Sequence, residues 1–314
     1  MGQGELQFVN FASLVMLALV PYVLASQGTM LAGRTGLFNV AQEGIMLAGA
    51  SLGFLGAYLY GNLMYGLLLA TLAGGIFGLA LAYFTTTLKM DQFVIGLALF
   101  FFSLGLATLA YKFVIGVTLQ PPLIPTLPKV PVPGLSLIPV VGAIFFNQNL
   151  MVYFAILLSI CLYYLLYKTS LGLELRSVGE NPKAADSLGV NVSRACYLTS
   201  IIGGMLMALA GAYLPMVYTG TFTEGMVQGR GWIAIALTFF GGWSPHLILL
   251  GSLFFAGVDV LALRVQVVRF GIPYQFLLTL PYVSTILVMI FASKWVRAPA
   301  FLGQNYDREK RSLA

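Results

Sequence analysis

Three polar segments interrupt an otherwise apolar chain, and each carries residue types able to do chemistry. The first is Gly33-Arg34-Thr35-Gly36-Leu37-Phe38-Asn39-Val40-Ala41-Gln42-Glu43-Gly44. On helical spacing Asn39, Glu43 and Met46 share one face, at i, i+4 and i+7, with Phe38 and Gln42 on the adjacent face. Amide, carboxylate and aromatic groups together offer hydrogen bonds and a stacking surface, the equipment of a small-molecule pocket at an interrupted helix. Gly33, Gly36 and Gly44 permit the break and close packing. An interfacial loop with Arg34 paired to Glu43 would use the same residues. An ionisable side chain this close to apolar surroundings is costly, which favours function.

The second segment runs from Thr219 to Gly231 and contains Phe222, Glu224, Gln228 and Arg230. Glu224 and Arg230 either neutralise one another or stand where a helix starting after Gly231 presents free N–H groups to a ligand oxygen. Gly36 to Gly49 and Gly229 to Gly242 are each 13 apart, and each pair spans an apolar stretch after a Gly-rich entrance. That echo points to internal duplication.

The third segment is Leu171 to Val192. Asn181 is placed to cap a helix that begins with Pro182 and ends at Gly189. Glu180 stands just before it, while Ala184, Ala185 and Leu188 give it a small apolar face, suited to docking in a partner's groove. A solvated loop is the plainer alternative.

The elements that must position these segments follow from composition. Of 314 residues, 59% are hydrophobic and 8% charged, with mean hydropathy +0.92; an ordinary soluble domain is about a quarter charged. Disorder, collagen and a soluble core are excluded. Long charge-free windows predict spans near 8–32, 44–60, 64–88, 92–111, 150–167, 195–218, 246–263 and 272–293. Gly61-Asn62 breaks the window 44–88, and Gly241-Gly242-Trp243-Ser244-Pro245 leaves 231–241 as a half-helix too short to cross alone. Such a piece must be buried in protein. The expectation is an all-α polytopic membrane protein of about eight to ten transmembrane helices, broken or half helices included, forming a single domain over 1–314. Continuous apolar runs disfavour a β-barrel. The start of the chain carries Glu5 and no Lys or Arg, so a cleaved signal is not expected.

Basic residues orient the bundle. Segment 168–194, with Lys168, Arg176, Lys183 and Arg194, is expected in the cytoplasm, as is the tail 294–314, with Lys294, Arg297, Arg308, Lys310 and Arg311. Segment 112–149 holds seven of the 14 prolines and is expected outside, its apolar part Leu135–Phe146 dipping back onto the bundle. The net charge of +6 largely follows from this bias and implies no nucleic acid. Gly203, Gly204 and Gly211 lie among alanines on one helix and allow close helix approach. Two cysteines and one histidine, His246, make a disulfide, a metal site or a bound cofactor unexpected. No phosphate-binding loop is present, so any ATP must be bound by another chain.

The string GLELRSVGENPKAADSLGVNV resembles the coupling-helix region of bacterial ABC importer permeases, in the branch shared by sugar, branched-chain amino acid and nucleoside permeases. RTGLFNVAQEGIMLAGA resembles that branch's Gly-x-x-Asn-x-x-x-Glu-Gly block. With VPGLSLIPVVGAIFF and GRGWIAIALTFFGGWSP, the chain is similar to the shorter permease of basic-membrane-protein-type nucleoside uptake systems, over most of residues 20–295. It departs from the pattern at Gln42 and across Thr221–Arg230, which is more charged. The resemblance implies a type II importer-like bundle in the bacterial plasma (inner) membrane. It implies a second permease chain, identical or paralogous, two ABC ATPase subunits docking near Glu180–Gly189, and an extracytoplasmic solute-binding lipoprotein. The chain itself would be no enzyme.

Asn39, Gln42, Glu43, Glu224 and Gln228 supply hydrogen bonds, and Phe38, Phe222, Phe239 and Trp243 supply stacking faces. Such a set suits a nucleoside or related heterocycle such as a flavin; it also suits a sugar. Arg230 joins them in the expected substrate pathway. An ion-gradient-driven transporter would instead use Asp259, which has Arg264 and Arg269 as nearby partners. A membrane enzyme lacks any nucleophile–base constellation, and the polar segments argue against a mere scaffold.

Overall fold

Helix entrances are set by small polar residues at the sites where apolar runs begin. Asn62 accepts Met64 N–H at 2.9 Å, Asp91 accepts Val94 N–H at 2.9 Å and Asn149 accepts Val152 N–H at 3.1 Å. Each satisfies a backbone donor that the first turn leaves orphaned. Gly61, at φ +64°, supplies the left-handed residue that ends the preceding helix.

The computed structural model describes residues 3–118, 120–267, 274–292 and 297–308. The first group of helices is α1 (Gln3–Gly33), α2 (Gln42–Tyr60), α3 (Leu63–Ala82) and α4 (Gln92–Ile115). A long link follows, holding β1 (Lys129–Pro131), the short helix α5 (Val141–Phe145) and β2 (Asn147–Asn149). Next come α6 (Leu150–Lys168), α7 (Ser170–Glu180) and α8 (Pro182–Ser187). The last group is α9 (Val192–Leu214), α10 (Arg230–Phe240), α11 (Pro245–Val267) and α12 (Tyr274–Ala292). Both α3 and α9 run on into a π turn, Tyr83–Thr87 and Pro215–Thr219. Helices cover the charge-free windows, but those at 44–60 and 272–293 are not among the described helices long and apolar enough to cross. Six of these helices are long and apolar enough to cross a membrane by length and composition. Their outward side chains are large and apolar, with Phe113 88% and Ile76 66% exposed. That surface suits lipid, not water.

α9 is the axis of the bundle. It packs on α1, α2 and α3, and glycine lets the backbones touch. A Cβ on Gly204 would stand 2.2 Å from the Gly74 carbonyl oxygen, and one on Gly211 would stand 1.7 Å from that of Met46. Two contacts set direction: Gly28 of α1 meets Gly203, and Tyr213 OH donates to the Leu17 carbonyl at 3.1 Å, so α1 and α9 run antiparallel and the end of α1 lies beside the start of α9.

Two of the helices begin inside the bundle. α1 runs toward the end carrying α7 and α8, and the chain turns at 34–36. An extended stretch then re-enters the bundle, and α2 starts where Gly44 packs on Phe100 and Ser103. These residues lie roughly 12–16 Å along α4, at about 1.5 Å per residue. α9 runs the other way, the loop 220–229 returns into the bundle, and α10 runs back toward the α7–α8 end, where Gly33 is covered by Trp243. The two figures are inverted copies in outline. The paired glycines themselves are not equivalent: Gly49 packs inside α2 against Ala208, while Gly242 sits in a turn at φ +54°.

The described part of the link between the halves packs on the bundle. β1 and β2 pair antiparallel, a small departure from an all-helical chain. Ser13 Oγ donates to the Ala143 carbonyl at 3.2 Å, so the apolar stretch ending at Phe146 does fold back. Arg269, Lys294, Lys310 and Arg311 lie outside the described residues. Cys161 is exposed and Cys196 buried, and both are free thiols.

Candidate functional site

The starts of the two half-helices meet. Glu43, in the first turn of α2, accepts Gly229 N–H on Oε1 at 2.8 Å and Gly231 N–H on Oε2 at 2.7 Å. These donors belong to the first turn of α10, which no helical carbonyl satisfies and which carries the positive end of the helix dipole. Gln42 completes the junction, donating Nε2 to the Gly231 carbonyl at 2.9 Å and sharing a hydrogen bond with Thr29 Oγ1 through Oε1. The Arg34–Glu43 pairing that the sequence left open does not form. Arg34 instead donates Nε to the Trp243 carbonyl at 2.8 Å and Nη2 to Tyr167 OH at 2.9 Å. Partial burial pulls the Arg34 pKa down from its usual value, while Tyr167 opposes the shift.

Beside this junction, Arg230 Nη2 pairs with Asp259 Oδ2 of α11 at 3.1 Å, and Tyr22 OH of α1 reaches the same oxygen at 3.4 Å. Both side chains are under one-fifth exposed. This replaces two sequence alternatives. Glu224 pairs with Lys112 at 2.8 Å on the surface, not with Arg230. Arg264 donates to the Gln7 carbonyl at 3.1 Å and lies over Phe11, not against Asp259. The Arg230–Asp259 pair forms part of the wall of two cavities. One, of about 760 Å³, opens among α1, the end of α9, the loop 219–230 and α11; the other, of about 280 Å³, lies among α10, α11 and α12.

The remaining predicted residues spread along the bundle. Phe222 is buried against Tyr111 near the far end, with ring centroids 5.0 Å apart. Gln228 is exposed at φ +53°, and its carbonyl accepts Tyr282 OH at 3.0 Å. Asn39 is buried, with its Oδ1 on Ala41 N–H at 2.9 Å. Phe38 meets Phe239 edge-on near the α7–α8 end. Trp243 is fully buried under Gly33 and offers no free face. Sequence reasoning passed over Tyr22, Tyr282 and Trp232. Nothing local marks the first two; Trp232, directly after the Gly-rich entrance and 40% exposed, carried a readable signal.

At the other polar segment, Asn181 Oδ1 accepts Ala184 N–H at 3.0 Å, with Pro182 at the first position, and Gly189 follows at φ +88°. The short helix α8 is therefore built as its residues require. Its apolar residues divide between two faces. Pro182 and Ala185 turn inward, Ala185 joining a small core with Leu37, Val178 and Val192, so Ala185 is not free for a partner. Ala184, Leu188 and Gly189 face outward, with Leu188 84% exposed. Glu180 and Asn181, at the helix entrance, are also exposed.

A broken-helix bundle with a polar junction inside is an arrangement that membrane transport proteins use. Residues 11–293 match the family described as branched-chain amino acid transport system / permease component, and the chain belongs to that family. It is a multi-pass membrane protein and a transport permease. It is 35% identical to the nucleoside ABC transporter permease protein NupC of Lactococcus lactis, over 92% of this chain and 94% of the relative. It is 33% identical to the guanosine ABC transporter permease protein NupQ of Bacillus subtilis, over 93% and 94%. It is 32% identical to TsgC13 of Haloferax volcanii, provisionally named a glucose ABC transporter permease protein, over 91% and 94%.

Proposed function

We propose that this chain is the membrane subunit of an ATP-driven importer for nucleosides. The observation that carries the pathway is the junction of α2 and α10. There Glu43 and Gln42 hold two half-helix starts together, and Gln228, Trp232 and Tyr282 reach the surface beside them. A second permease chain placed against that face would enclose amides and aromatic rings, a lining that stacks on a base and hydrogen-bonds a ribose. Phe38 and Arg230 would extend the lining along the bundle, with Glu224 nearest its mouth, while Asn39 and Phe222, both buried, would support it from behind. Full-length likeness to permeases named for guanosine and nucleosides supports the same substrate class.

The α7–α8 end, with Lys168, Arg176, Lys183 and Arg194, would face the cytoplasm. ATPase subunits would dock there on Ala184, Leu188 and Gly189, with Glu180 and Asn181 at the helix entrance. A solute-binding lipoprotein would deliver substrate at the opposite end, against the link that carries β1, α5 and β2. The Asp259 carboxylate is engaged by Arg230 and Tyr22, which favours a structural role for it over that of an ion carrier in gradient-driven transport.

The test is purification of the tagged chain from native membranes with whatever accompanies it, followed by reconstitution in liposomes. The expected result is a co-purifying ATPase, lost on Ala184→Arg, and ATP-dependent uptake of labelled guanosine in preference to glucose or riboflavin. A chain that purifies alone, or a complex that takes up glucose and ignores guanosine, would overturn the corresponding half of the reading.

A further inference from the structure

Residues 299–308 lie over the α7–α8 end and touch four separate elements there. On α7 and α8, Phe301 N–H donates to the Gly179 carbonyl at 2.9 Å and Ala300 N–H reaches Glu180 Oε2 at 3.4 Å. Asp186 Oδ2 takes both Tyr306 OH at 2.9 Å and Arg308 Nε at 3.0 Å. On the turn after α1, Gly303 N–H donates to the Gly36 carbonyl at 2.9 Å. On the turn before α4, Lys89 pairs with Asp307 at 2.7 Å and Asn305 Nδ2 donates to the Met90 carbonyl at 2.7 Å.

Gln92 joins these contacts to the broken helix. It is 3% exposed, and its amide is used on both sides. Nε2 donates to the Gln304 carbonyl at 3.0 Å and to Asn305 Oδ1 at 3.1 Å, while Oε1 accepts Phe38 N–H at 2.7 Å. A buried amide left without partners is costly, so Gln92 holds the tail and Phe38 against one side chain. A continuous polar route thus runs from Asp186 on α8, through Tyr306, Asn305 and Gln92, to the segment that leads into α2.

We propose that residues 299–308 act as a tie that makes α8 and the entrance of α2 move together, with Gln92, Tyr306 and Arg308 as positioning residues for transport. The proposal rests on the reading of α8 as the ATPase-docking helix. The tie need not hold the bundle together, because the bundle has its own core. It adds hydrogen bonds and an ion pair to the apolar packing that Ala185 of α8 shares with Leu37, so that displacement of a short surface helix is carried to the broken segment that lines the pathway.

The test compares the reconstituted complex with three variants. Tyr306→Phe removes one hydroxyl. Arg308→Ala removes the ion pair to Asp186. Gln92→Glu keeps an acceptor for Phe38 N–H and loses both donors to the tail. The expected result is ATPase co-purification and hydrolysis near wild type in each variant. Guanosine taken up per ATP hydrolysed should fall by about fivefold or more in Gln92→Glu and in the Tyr306→Phe, Arg308→Ala pair, the low end of ordinary coupling effects. Unchanged uptake per ATP in every variant would overturn the proposal. So would a parallel loss of assembly, hydrolysis and uptake, since that marks a merely structural tail. Retention of the ATPase by Ala184→Arg would instead overturn the reading of α8 itself.

Discussion

Glu43 holds the backbone N–H of Gly231 at 2.7 Å, so the first turn of one half-helix supplies the anionic cap of the other. Two helix starts facing one another would bring two positive dipole ends together. The Glu43 carboxylate removes that conflict and satisfies two orphaned donors. Substituting Glu43→Gln keeps the size but points an amide donor at a backbone donor. The expected cost is about 1–3 kcal/mol, an unmade hydrogen bond to a charged group. Thermal unfolding in detergent should register it as a lower midpoint, and Glu43→Asp should fall short of a full rescue because it cannot reach both N–H groups.

Arg230 and Asp259 make the second test. The pair is mostly buried, so removing either charge strands the other in a poorly solvated place. Asp259→Asn and Arg230→Gln are each expected to destabilise the chain. The double variant should cost less than the sum of the two by about 1–3 kcal/mol, the coupling expected of contacting residues. Strictly additive melting shifts would mean that the pair contributes nothing.

Much of the frame was legible before the structure, because bilayer length and charge punctuation are local signals. The half-helix was readable from Gly241-Gly242-Trp243-Ser244-Pro245, and α8 from Asn181-Pro182 and Gly189. The partners were not legible. Arg230 had Glu224 six residues away, yet it pairs with Asp259, 29 residues on and in another helix. Glu43 had Arg34 nearby, yet its donors are more than 180 residues distant. Such choices are made by packing of distant elements, and no local pattern records them. One signal was available for Glu43: an acid at one buried helix start and a Gly-rich, carboxylate-free start at the other are natural complements.

The glycine contacts of α9 predict a sharp positional contrast. Gly204→Ala and Gly211→Ala place a methyl group against backbone oxygens of Gly74 and Met46, neither of which can move without shifting a helix. Both variants should lose most folded, monodisperse protein on size-exclusion chromatography in detergent. Gly105→Ala, with nothing within 4 Å of the added carbon, is the control. It should be neutral or gain up to about 1 kcal/mol from helix propensity.

The two faces of α8 predict opposite phenotypes from neighbouring alanines. Ala185 is 2% exposed and packs among Val178, Val192 and Leu37, so Ala185→Arg buries an unpaired charge and should prevent folding. Ala184 is exposed on the outer face with Leu188, so Ala184→Arg should fold, melt within about 0.5 kcal/mol of wild type as surface substitutions do, and fail only in holding its ATPase. Leu188→Ala should weaken that association more mildly, since it shortens an exposed apolar anchor without adding a charge. The measurements are the melting midpoint of each purified chain and the amount of ATPase retained on affinity purification. If Ala184→Arg unfolds the chain, or Leu188→Ala leaves association untouched, the outer face of α8 is not the docking surface.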